Sequence, residues 1–373
     1  MRDNRKWGLL PWLAVGIWLL VGASSTIAQP YPPDREKHAL IISGIGGEET
    51  YQQQFKEWTT RLHRLLIGQL GFAPDRVVVL TETPGYISAT SGETQEGRST
   101  AAEVRRALSK WEREVTPRQQ VFLFFIGHGT YDGKVAKFNL VGPDLAAEEY
   151  AEMLSRVRAG RTIILQMASA SGEFLKPLAA LNRIVLTATR SGMEQNAPKF
   201  MEFFLQALES KTGDLDKNGR VSVLEAFEYA AQGVAGLYQQ AGKLATEHAL
   251  LDDTGDGVGD PANLGSSSTG GREPSAEVER ARDGGLARAT YFDSLPQQEA
   301  GGDVILAGWI EERMRLEGAI EQLKVQKPTT PPREYAEKLE KMLIELARLS
   351  RTIRQRRGEG PPPSPTPSSE EER

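Results

Sequence analysis

The chain has 373 residues, with 45 Lys and Arg against 50 Asp and Glu, a formal net charge of -5, four His and no Cys. That length holds one large domain or two smaller ones. The lack of Cys excludes disulfides, Cys-ligated zinc, iron–sulfur clusters and a cysteine nucleophile, and the acidic balance argues against a general nucleic-acid binder, whose domain would be basic.

Residues 1–28 begin Met1-Arg2-Asp3-Asn4-Arg5-Lys6, run apolar over 7–23 and finish in small residues up to Ala28. A basic start, an apolar stretch and a small-residue flank read as a secretory leader. The competing reading is an uncleaved anchor, at the short limit for a span. Both predict an exported protein, periplasmic or extracellular, with membrane contact only through a retained leader. Residues 29–36 are a Pro-rich linker.

Residues 37–261 alternate strands and helices. Ala39-Leu40-Ile41-Ile42 is a short apolar run ending in Ser43-Gly44, the pattern of a buried strand. Tyr51, Phe55, Trp58, Leu62, Leu65 and Leu66 lie mostly three and four apart, one face of a helix. A strand at 77–80, a long polar loop over 81–100 and a helix over 101–111 follow. Val121-Phe122-Leu123-Phe124-Phe125-Ile126 is the strongest strand, and a helix near 145–157 leads to strands at 162–165 and 184–187. Strands apolar on both faces and separated by helices predict an α/β fold, a mainly parallel central sheet flanked by helices. Chemistry in such sheets gathers at the carboxyl ends of the strands. That directs attention to 43–47, 127–133, 166–172 and 188–195.

Asp214-Leu215-Asp216-Lys217-Asn218-Gly219-Arg220-Val221-Ser222-Val223-Leu224-Glu225 fits the twelve-position EF-hand loop. Asp214, Asp216 and Asn218 offer side-chain oxygens, Arg220 its carbonyl, Ser222 a water-linked ligand and Glu225 a bidentate carboxylate. The predicted cofactor is calcium, held as a structural staple. The competing reading is an acidic turn capping a helix. A second acidic loop at 252–260 lacks the closing Glu and reads equally as an ordinary turn. His248 has no partner cluster in the sequence.

Residues 262–303 read as a linker. Two helical segments over 304–357 form a hairpin. The second carries Tyr335, Leu339, Met342, Leu346, Leu349 and Ile353 at spacings of 4, 3, 4, 3 and 4, a heptad seam. It predicts an antiparallel hairpin or a self-association element. Residues 358–373, rich in Pro, Ser and Glu, predict a disordered tail.

His128 stands between Gly127 and Gly129 at the end of the strongest strand, an imidazole with room beside it. The next strand ends Met167-Ala168-Ser169-Ala170-Ser171-Gly172. A base and a hydroxyl on neighbouring strand tips have the logic of a dyad.

Here the sequence resembles the caspase–legumain superfamily of cysteine peptidases. Phe124-Phe125-Ile126-Gly127-His128-Gly129 matches that family's strand ending in His-Gly. Aligning Ser171-Gly172 with the Ser-Gly of its Asp-Ala-Cys-x-Ser-Gly motif puts Ser169 at the cysteine and Met167 at the acid. Thr187-Ala188-Thr189-Arg190-Ser191-Gly192, followed by Glu194, is similar to the substrate-pocket loop of bacterial members. The resemblance spans about residues 37–260. It implies a caspase-like domain with His128 and Ser169 as the catalytic pair, and Gly127, Gly129, Gly172 and Arg190 around the substrate. A hydroxyl needs a well-oriented base, usually held by a third acidic group. Asp132 and Asp144 are near in sequence, and nothing places either on His128. The expectation is therefore an exported, non-catalytic homologue that binds a peptide or protein and is stabilised by calcium. The alternatives are a Ser169/His128-dependent peptidase and a structural calcium-stabilised assembly module.

Overall fold

Two strands apolar on both faces set the centre of the molecule. β1 (Lys37–Ser43) and β4 (Gln120–Ile126) pair in parallel, Lys37 opposite Gln120 through to Ser43 opposite Ile126. The computed structural model describes residues 34–87, 94–210, 212–216, 220–262, 282–293, 300, 303–325 and 330–358. The predicted leader, residues 217–219 of the predicted calcium loop (Asn218 among them) and nearly all of the predicted tail lie outside these residues.

Around the central pair lie β2 (Val77–Thr81), β3 (Gln95–Arg98), β8 (Arg161–Gln166) and β9 (Arg183–Thr187), all parallel, in the order β3-β2-β1-β4-β8-β9. β10 (Leu250–Asp252) and β11 (Asp260–Pro261) extend the sheet antiparallel beyond β9. A small antiparallel sheet of β5 (Gly129–Tyr131), β6 (Ala136–Phe138) and β7 (Leu145–Ala146) follows β4. The fold is thus α/β, with a large, mainly parallel central sheet flanked by helices.

Strand alternation divides the core into two layers. Ala39, Ile41, Phe122, Phe124 and Ile126 face α1 (Glu49–Gly68), α5 (Phe200–Glu209) and α6 (Val223–Gln240). Leu40, Ile42, Val121, Leu123 and Phe125 face α2 (Ala101–Glu114), α3 (Ala147–Ser155) and α4 (Gly172–Leu178). The chain runs outward from β1 through β2 to β3, then returns to β4 and proceeds the other way. The strand order therefore reverses between β1 and β4, the place where open α/β sheets gather their ligand sites.

Two stretches differ from the sequence reading. β3 lies inside the predicted polar loop. An edge strand that is only half-covered needs no apolar alternation, so Gln95 to Arg98 gave no strand signal. Residues 282–293 lie in the predicted linker but pack onto the domain through α7 (Gly285–Arg288). Phe292 is fully buried against Phe122 and Phe204, ring centroids 5.5 and 5.6 Å away. Lys37 donates to its carbonyl at 2.9 Å. One aromatic anchor in irregular chain has no period to detect.

α8 (Val304–Val325) and α9 (Pro332–Arg357) form an antiparallel hairpin. The heptad seam of α9 faces α8, with Ile353 buried beside Leu306 and Ile310 and Arg356 paired to Asp303. Among the described residues no helix is long and apolar enough to cross a membrane.

His63 is buried in α1, with Nε2 3.0 Å from Thr94 Oγ1, and burial pushes its pKa down to about 4. The unfolded chain takes up this proton near pH 6.5 and the folded chain only near 4, so His63 costs stability as pH falls through that window. Between pH 6.5 and 4, His63→Gln should lose about 1–3 kcal/mol less unfolding free energy than wild type, measured by urea titration. Equal losses would show that His63 titrates as a solvated group.

Candidate functional site

The strand reversal lies beside the tip of β4. There His128 leaves the sheet toward α1, its ring edge-on to Tyr51 and Phe55 with centroids 4.8 and 5.0 Å away. Burial lowers its pKa, and the Gly46 backbone and Glu48 partly offset that shift. The imidazole is therefore neutral at pH 7, seated in an aromatic niche.

Ser169 follows β8, the neighbouring strand, and is only 3% exposed. Its hydroxyl donates to the Gly129 carbonyl at 3.0 Å and accepts from the Gly129 N–H at 3.2 Å. A serine has one hydroxyl proton, and here a backbone carbonyl holds it. Among the described residues no hydrogen bond joins Ser169 to His128. The strand tips do meet, through Gly129 rather than through the imidazole. A Cβ at Gly129 would lie 2.4 Å from the Ser169 carbonyl oxygen, so the approach requires glycine.

The next residues suture β8 to β9. Ala170 takes a left-handed φ of 55°, unusual for a residue with a side chain, and its N–H is held by the Glu194 carbonyl at 2.9 Å. Ser171 Oγ accepts from the Thr189 N–H at 3.0 Å and lies 3.0 Å from Thr189 Oγ1, which accepts from the Gly172 N–H at 3.0 Å. Gly172 abuts the Arg190 backbone, where a Cβ would sit 2.2 Å from the carbonyl carbon.

Arg190 is exposed, its Nε 3.2 Å from Glu194 Oε1. Glu194 also accepts from the His248 N–H at 3.1 Å and lies 2.5 Å from His248 Nδ1. This His248–Glu194 link joins the loop after β9 to the chain entering β10. Sequence reading missed it, because 54 residues separate the partners and the pocket-loop resemblance that includes Glu194 does not reach His248. Met193 and Leu244, 82% and 90% exposed, stand on the two linked segments. Each is an exposed apolar side chain on a segment that Glu194 and His248 tie together. Asp132 and Asp144 hold nearby turns, accepting from the Lys134, Val135 and Leu140 N–H groups.

At the predicted calcium loop, one ligand oxygen each from Asp214, Asp216 and Glu225 lies within 4.8 Å of the others. Calcium–oxygen distances of 2.3–2.6 Å let oxygens about 5 Å apart share one ion, so this donor set fits a hard cation. Ser222 and Glu225 also form a capping box for α6: Glu225 Oε2 accepts from Ser222 N–H and Oγ at 2.8 and 2.7 Å. Glu225 Oε1 accepts from the Leu215 and Asp216 N–H groups at 3.0 and 3.1 Å. Arg220, predicted for its carbonyl, has a buried side chain ion-paired to Asp293 and stacked 3.6 Å over the Tyr291 ring. In the second acidic loop Asp252 accepts from Gly255 and Gly257 N–H at 2.8 and 2.9 Å, a self-closing turn.

No family model matches the sequence, and no curated protein matches it. Among solved structures the chain is similar to a protein from Geobacter sulfurreducens, with TM-score 0.36, 13% identity and coverage of 53% of this chain and 88% of that one. It is also similar to the Drosophila initiator caspase Dronc, with TM-score 0.39, 7% identity and coverage of 69% and 96%. Neither likeness assigns a role to a residue.

Ser169→Ala should lower unfolding stability by about 1–3 kcal/mol, because it leaves the buried Gly129 N–H and carbonyl without their partner. An unchanged urea midpoint would mean that the hydroxyl is not held there.

Proposed function

We propose that this chain is an exported, non-catalytic caspase-like protein that binds a peptide or protein segment at its strand tips. The observation that carries the reading is the bonding of Ser169. Its proton is given to the Gly129 carbonyl, and His128 is held among aromatic rings, so neither group is set up to activate the other. What the site does offer is recognition. Arg190 and Glu194 supply charge, and Met193 and Leu244 supply exposed apolar contact. The leader sends the protein out of the cytoplasm, where calcium is abundant. Asp214, Asp216, Asn218, the Arg220 carbonyl, Ser222 and Glu225 hold a structural calcium ion, and the hairpin over 304–357 mediates self-association.

Incubation with a mixed peptide library should leave every peptide intact while a subset is retained. The paired change Met193→Asp with Leu244→Asp should cut that retention about tenfold or more, a loss on the scale of a lost apolar anchor. Cleavage that disappears in Ser169→Ala and persists in Ser171→Ala would make the protein a peptidase instead.

Calcium should raise the melting temperature, and Glu225→Gln should abolish the calcium-dependent increment whatever it does to the baseline. An increment that survives Glu225→Gln would place the ion elsewhere, and no increment in wild type would leave the loop as a capping turn.

A further inference from the structure

The hairpin commits one face of α9 to α8 and leaves the opposite face to solvent. Ile344, 45% exposed, lies at the middle of that outer face. Glu337 and Glu340 precede it by seven and four residues, and Arg348 and Arg351 follow it by four and seven; all four are exposed. At 3.6 residues per turn these five positions form one stripe along the helix. Read from either end, the stripe is the same with its charges reversed. Glu337, Glu340, Ile344 and Arg348 line one shallow groove on the helix surface. Glu334 pairs with Lys338 at 2.7 Å, whereas among the described residues Glu337, Glu340, Arg348 and Arg351 make no ion pair.

We propose that α9 pairs antiparallel with α9 of a second copy of this chain, about a two-fold axis beside Ile344. Glu337 then faces Arg351 of the partner subunit, Glu340 faces Arg348 of the partner subunit, and Ile344 packs on its own copy. A two-fold contact repeats each pair, so the stripe supplies four oppositely charged contacts around one apolar centre. The parallel arrangement is disfavoured, because residues 346–357 carry five Arg and no acidic residue and would lie arginine against arginine. The contact spans fifteen residues, about 21 Å of helix, and depends on exposed charge, so it weakens with salt. This inference deepens the self-association assigned to the hairpin and is independent of what the strand tips bind.

Sedimentation velocity on the full chain tests it with two variants. In E337R/E340R the stripe is wholly basic, and in R348E/R351E it is wholly acidic. Wild type should be dimeric at low salt and dissociate at high salt. Each variant alone should associate at least about tenfold more weakly, through like-charge repulsion. An equimolar mixture of the two should recover the wild-type dimer, because each stripe now complements the other, which a misfolded hairpin would not do. If either variant alone dimerises as wild type does, or the mixture stays monomeric, the α9 face is not the contact, although self-association stands. A monomeric wild type would overturn both.

Discussion

The Ser169 hydroxyl bonds to both backbone groups of Gly129 and ties the tip of β8 to the tip of β4. Much of this end of the molecule follows from that clasp. It holds the chain after β8 in a tight turn, through the left-handed Ala170, and delivers Ser171 to Thr189 at the next strand. It also commits the hydroxyl proton to a buried carbonyl, which would be left unpaired if a base withdrew it. The same bonds that order the site therefore argue against a nucleophilic serine.

The two sides of the sheet reach their functional segments by different routes. At the β1–β4 reversal, His128 is fixed by packing on α1, and its neutrality follows from burial. Beyond β9, the arrangement is polar: Glu194 holds Arg190, four residues before it, and His248 from 54 residues away. Farther out, Arg220 lies at the exit of the acidic loop, ion-paired to Asp293 and with Nη1 3.4 Å from Met314 Sδ on α8. An ion held by Asp214, Asp216 and Glu225 would thus stiffen the loop and the root of the hairpin together.

The sheet was legible in the sequence because its strands are apolar on both faces, as Val121 to Ile126 shows. The positions of His128 and Ser169 on adjacent strand tips followed from the same pattern. Their bonding did not, since hydroxyl orientation depends on a glycine backbone forty residues away that carries no side-chain signal. Phe292 and β3 were hidden for the opposite reason, one being a lone anchor and the other a polar edge. The acidic loop was recognisable from its spacing, yet its Ser222 and Glu225 serve the helix cap in the fold as well. The heptad seam of α9 was also plain, while its outer stripe became meaningful only once α8 had claimed the other face.

The most direct test of the central claim is intact-mass analysis of the protein after treatment with a serine-reactive fluorophosphonate. A hydroxyl held by Gly129 and not hydrogen-bonded to His128 should remain unmodified, with the mass unchanged and no adduct on the peptide containing Ser169. Stoichiometric labelling at Ser169, lost in His128→Ala, would show an activated nucleophile and contradict the account.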